Sequence, residues 1–95
     1  MSARPAVDQS CRPKLAPHRR LRFDEARKSW TIQAPERVFL LDEIAYAIVS
    51  RCDGEKSLGD IVDELSASFE APRDIVAGDV TKLVQEFADK GVMML

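Results

Sequence analysis

The sequence predicts an α+β domain of winged helix-turn-helix type, with a three-stranded antiparallel sheet followed by three helices. Three observations lead there. Apolar residues recur at every second position in two runs between Arg20 and Gln33, a run that is apolar on both sides follows at Arg37 to Leu41, and three stretches of helical period lie between Asp42 and Lys90. With 95 residues, 45% apolar and 32% charged, the chain holds material for one core and one domain.

Residues 1–17 contain Pro5, Pro13 and Pro17, scattered charges and no apolar period, which reads as a disordered leader or the end of a linker, with the folded domain over 18–95. From Arg20, Leu21 and Phe23 alternate with Arg20, Arg22 and Asp24, a strand with one wet face. After the polar turn Glu25 to Lys28, Trp30 and Ile32 alternate with Ser29, Thr31 and Gln33 in a second strand. Leu21, Phe23, Trp30 and Ile32 are expected to share one buried face. Ala34-Pro35-Glu36 breaks the pattern because proline lacks the ladder donor, and Arg37 to Leu41 forms a third extended piece. Here Val38 and Leu40 point to one face while Phe39 and Leu41 point to the other. One pair can join the core and the other needs a cover, supplied by helices or by a partner.

Asp42 is placed to cap the first helix, with Leu41 and Tyr46 as its hydrophobic staple and Ile44, Ala45, Ile48, Val49 and Cys52 as its inward stripe. Asp53-Gly54 ends that helix near Arg51. Ser57 with Asp60 three positions on resembles a capping box opening a second helix, whose core face is Leu58, Ile61, Val62, Leu65 and Phe69. Pro72 opens a third helix that continues to about Lys90 and stops at Gly91, with Val76, Val80, Leu83, Val84 and Phe87 inward. Ile75, Asp79, Lys82 and Glu86 share a neighbouring face. Val92 to Leu95 is expected to pack back as a short extended tail.

Several function classes lose support on composition. The longest apolar run, Val38 to Leu41, is far below the roughly 20 residues of a membrane span, so no membrane association is expected. No apolar signal segment is visible at the start, which makes the cytoplasm the expected compartment. Cys11 and Cys52 are far apart, form no CxxC pair and have only His18 to help them, so no metal site is expected. Cys52 reads as a small buried hydrophobe and Cys11 as an exposed free thiol. Asp60, Asp63 and Glu64 read as a solvated helix face, His18 has no catalytic companion, and the glycines build no phosphate loop, so neither catalysis nor a cofactor is expected.

Two classes of binding protein then compete. The formal charge of -2 hides a division: residues 1–28 carry eight Lys/Arg against three Asp/Glu, and the rest is net acidic. Over residues 72–90, Arg73, Lys82 and Lys90 face Asp74, Asp79, Glu86 and Asp89. A recognition helix with that balance is poorly suited to phosphates, which weakens the alternative of a winged-helix DNA-binding transcription regulator. Strand addition makes better use of the same parts. If Arg37 to Leu41 is a sheet edge beside the third helix, a partner segment can pair with its backbone and place apolar side chains between strand and helix.

The order Ala34-Pro35-Glu36-Arg37-Val38, Leu41, Ala45, Ile48-Val49, Cys52-Asp53-Gly54, Ser57-Leu58, Ile61-Val62, Asp79-Val80, Leu83 and Gly91 resembles the PqqD family, and more broadly the RiPP precursor recognition elements. The resemblance covers about residues 17 to 93. It implies a three-stranded, three-helix winged domain that binds the precursor peptide PqqA and presents it to the radical SAM enzyme PqqE in pyrroloquinoline quinone biosynthesis, without catalysis or a cofactor of its own. It also implies that the peptide adds beside the third strand and lies against the third helix. Here that maps onto Arg37, Val38, Phe39, Leu40 and Leu41, and onto Ile75, Asp79, Lys82, Leu83 and Glu86. Asp42 stands where many members have Asn, a change that preserves the cap. In some members this domain is fused to another protein of the pathway, which would make residues 1–17 a former linker.

Overall fold

The computed structural model describes residues 7–95. Strands β1 (Lys14–Leu15), β2 (Arg20–Asp24), β3 (Ser29–Gln33) and β4 (Val38–Leu41) precede helices α1 (Glu43–Val49), α2 (Leu58–Phe69) and α3 (Arg73–Asp89), and β5 (Met93–Met94) closes the order. The expected three strands and three helices are present, and a second, two-stranded sheet of β1 and β5 joins them.

The main sheet has the order β2-β3-β4 and is antiparallel throughout. Its register places Leu21, Ile32 and Phe39 in one cross-strand row and Phe23, Trp30 and Leu41 in the next, all on the face toward the helices. Ile32 and Leu41 are buried there, whereas Phe23 is 37% exposed at the rim. Phe23 meets Trp30 edge-on at 5.4 Å, and Trp30 stacks on Tyr46 of α1 at 4.6 Å. These rings fasten the sheet to the first helix. On the outer face Thr31 is fully buried, and its hydroxyl donates to the Arg22 carbonyl at 2.8 Å.

The helix starts follow the capping chemistry of their sequences. Asp42 accepts the Ala45 N–H at 2.7 Å, and Ser57 and Asp60 exchange both bonds of a capping box. Between those helices Gly54 has φ of +82°, a conformation that favours glycine, and a Cβ there would lie 2.9 Å from Lys14 Cδ and displace that side chain. Ile48, Leu58, Ile61, Val62, Leu65, Val80, Val84, Phe87, Val92 and Met93 form the core with Ile32 and Leu41. Besides Phe23, two helix residues expected inside are not. Ile44 is 47% and Phe69 40% exposed, because each sits in a terminal helical turn beyond the reach of the packing that covers the rest of its stripe.

The expected disordered leader is the largest difference. Residues 1–6 of it lie outside the described residues, but 7–17 are tied to the domain. β1 pairs antiparallel with β5, Lys14 opposite Met94 and Leu15 opposite Met93. The carbonyls of Gln9, Cys11 and Pro13 accept the N–H groups of Gly59, Leu58 and Gly54 at 2.8–3.0 Å, and Pro13 and Ala16 are buried. Proline lacks a donor but keeps its acceptor, and this segment is held largely through acceptors. Cys11 is correspondingly half-buried against the core rather than exposed, and burial raises its thiol pKa. Cys52 is buried as expected. Its Sγ lies 3.2 Å from the Ile48 carbonyl, and burial, with Asp53 and Cys11 nearby, pushes its pKa up to about 12.

Candidate functional site

β4 ends the main sheet, and the hairpin before it determines which of its backbone groups are spare. Ala34 and Arg37 exchange both hydrogen bonds across the turn, at 2.9 and 3.4 Å. In an antiparallel ladder bonded and non-bonded pairs alternate, so Ile32–Phe39 and Trp30–Leu41 are bonded pairs, while Gln33–Val38 and Thr31–Leu40 are not. The N–H and C=O groups of Val38 and Leu40 therefore point away from β3 to the open edge. Neither residue makes a backbone bond outside the sheet among the described residues. Two donors and two acceptors stand in line there, spaced for another strand.

The side chains of this strand divide as its two-sided pattern requires. Phe39 and Leu41 turn inward, where the Phe39 ring meets Phe87 of α3 at 5.8 Å. Val38 and Leu40, on the outer face, are 51% and 62% exposed, so helices do not supply their cover. Between the edge and α3 runs a groove of about 490 Å³, walled by Val38, Phe39, Leu40, Leu41, Asp42 and Ala45 on one side and by Leu83, Glu86, Phe87 and Lys90 on the other. Phe39, Leu41, Leu83 and Phe87 supply its apolar surface, and Asp42, Glu86 and Lys90 its polar surface. Glu86 and Lys90 form a 3.0 Å ion pair along its helical wall.

Six of the ten residues singled out in the sequence, Val38, Phe39, Leu40, Leu41, Leu83 and Glu86, come together in this groove. Arg37 lies past its end, with the guanidinium 4.9 Å above the Phe39 ring. Ile75 and Asp79 line a separate apolar hollow of about 120 Å³ with Ile44 and Phe69, at the other end of α3. Lys82 is exposed and lines neither. Asp42, Ala45, Phe87 and Lys90 also line the groove and are not among the residues singled out in the sequence. Phe87 falls on the core stripe and serves both surfaces, and Lys90 reads only as the residue before a helix stop. Among the described residues no group of three or more His, Cys, Asp or Glu is placed to hold a metal ion, and no helix is long and apolar enough to cross a membrane.

The chain is similar to known proteins in sequence and in fold. The family model for coenzyme PQQ synthesis protein D (PqqD) matches residues 29–93. The PqqA binding protein of Bradyrhizobium diazoefficiens is 44% identical over 88 residues, which cover 93% of this chain and 85% of that protein. The PqqA binding protein of Gluconobacter oxydans is 39% identical over 74 residues, 78% of this chain and 77% of that one. The solution structure of the PqqD truncation of Methylobacterium extorquens PqqCD, described as a functional and stand-alone RiPP recognition element, superimposes with a TM-score of 0.82 at 33% identity, over 95% of this chain and 96% of the other. The crystal structure of PqqD from Xanthomonas campestris gives 0.61 at 36% identity, over 95% and 100%. A family match over residues 29–93, relatives 39–44% identical over most of their length and the same overall fold place this protein in the PqqD family.

Proposed function

We infer that this protein binds the precursor peptide PqqA by adding it as a fourth strand on the open edge of β4, and presents it in the cytoplasm to the radical SAM enzyme PqqE of pyrroloquinoline quinone biosynthesis. It does so without catalysis or a cofactor of its own. The observation that carries this reading is the unpaired row of backbone groups at Val38 and Leu40 beside a groove lined by Phe39, Leu41, Leu83 and Phe87. Inward-facing side chains of the added strand continue the row of Phe39 and Leu41 and settle on Leu83 and Phe87 of α3. Main-chain bonds give the affinity, and the groove selects for apolar residues at alternate positions. Names of curated relatives supply the peptide, since those proteins are PqqA binding proteins.

The test is a titration of the amide-labelled protein with PqqA, followed by NMR, with a random DNA duplex as a parallel arm. Amides of Val38 to Leu41 and of α3 from Leu83 to Lys90 are expected to shift most, and the duplex is expected to leave the spectrum unchanged at physiological salt. Shifts confined to Leu21 through Ile32, or a response to DNA instead of peptide, overturn the reading.

A further inference from the structure

We propose that Arg19, Arg37 and Lys90 form an anion subsite at the end of the groove, and that it takes a carboxylate of the bound peptide. The proposal rests on the peptide-binding reading above. Beyond Phe39 the groove opens into a hollow of about 190 Å³, lined by these three cations together with Glu36, Phe39 and Val92. Phe39 is the shared wall. The Arg37 guanidinium lies 4.9 Å and Lys90 Nζ 5.8 Å from its ring centroid, so the ring steadies both cations without neutralising either.

Charge balance in the hollow is incomplete. Arg19 and Arg37 have no ion-pair partner among the described residues, while Lys90 is paired with Glu86 at 3.0 Å. Arg19 spends one terminal nitrogen on the Pro17 carbonyl at 2.7 Å, yet its Nε is buried and lacks any acceptor. A buried guanidinium N–H without a partner is costly, so the charge of Arg19 is not satisfied within the domain. Glu36 is the one carboxylate lining the hollow, against three cations. At the opposite end the groove is bordered by Asp42, whose carboxylate caps α1, so its electrostatic character reverses along β4.

That polarity gives the peptide a direction. Antiparallel addition matches the rest of the sheet and sets the C-terminal end of the paired segment beside Arg37. The carboxylate is then either an Asp or Glu side chain just C-terminal to the paired segment or the peptide's own C-terminus. Planar, forked guanidinium groups suit that ligand.

Calorimetry of the full chain against PqqA tests this with Arg37→Gln, Arg19→Gln and Arg37→Lys, each crossed with peptides whose Asp and Glu residues are amidated one at a time or whose C-terminus is amidated. Arg37→Gln is expected to weaken binding about tenfold, with Arg37→Lys recovering part of the loss. One peptide change should cost as much on its own, and no more when combined with Arg37→Gln. Which peptide change does so distinguishes a side chain from the terminus. If both glutamine variants bind within twofold of wild type, or if every peptide change costs the same in variant and wild type, the subsite is rejected while the groove stands. If the wild-type protein does not bind PqqA at all, the underlying reading fails instead.

Discussion

Replacing Leu40 with proline isolates the backbone contribution of the open edge. Leu40 belongs to a non-bonded pair with Thr31, so its N–H carries no ladder bond, and deleting it takes nothing from the sheet. The preceding Phe39 is in mid-strand and already extended, as a residue before proline must be. Edge strands tolerate proline on this side. Leu40→Ala is the control for the side chain, which at 62% exposure contributes well under the about 1.5–3 kcal/mol of a fully buried leucine. Relative to that control, Leu40→Pro removes one donor and leaves a peptide carbonyl unpaired inside the new sheet, a loss of about 1–3 kcal/mol, or roughly 5- to 150-fold in Kd. Calorimetry with PqqA measures the ratio, and far-UV circular dichroism with thermal unfolding verifies that both variants keep the fold. A folded Leu40→Pro protein that binds as tightly as Leu40→Ala refutes strand addition at this edge.

Two further outcomes concern stability. The Cys52 pKa is raised from 9.0 to about 12, so the folded state holds its proton more tightly than the unfolded chain, and the stability this contributes is whole below pH 9 and lost as pH rises toward 12. By pH 10 the loss is about 1 kcal/mol. Urea unfolding under reducing conditions is expected to show the wild-type margin over Cys52→Ala shrinking between pH 7 and 10, and a constant margin disproves the assignment. Removing residues 1–16 strips β1 from β5 and takes away buried Pro13 and Ala16, at a cost of about 2–4 kcal/mol. An unchanged melting temperature in the shortened chain contradicts the role given to that segment.

What the sequence reveals here depends on how far apart the cooperating residues lie. β2, β3, the capped starts of α1 and α2, and the glycine turn at Gly54 are all encoded within a few positions, where period and capping chemistry act. β1 is invisible by the same logic. A two-residue strand has no period, and its partners, Met93 and Met94, are nearly a chain length away. For the site, the doubly apolar run at β4 was legible, but the extent along α3 was not. Four strand residues span about 13 Å, which matches roughly nine helical residues at 1.5 Å each. The face that carries Glu86 also carries Ile75, yet Ile75 lies too far up the axis to share the groove. Helical spacing gives the angle of a side chain and says nothing about where the facing element stops.

The clasp between β1 and β5 also sets a timetable. During synthesis the β2–β3–β4 hairpins emerge with all their partners in hand, whereas Lys14 and Leu15 must wait for almost the whole domain to appear before they can dock. The open edge of β4 is therefore among the earliest parts that can take shape on the ribosome, and the seam that locks the two ends of the domain together is the last to close.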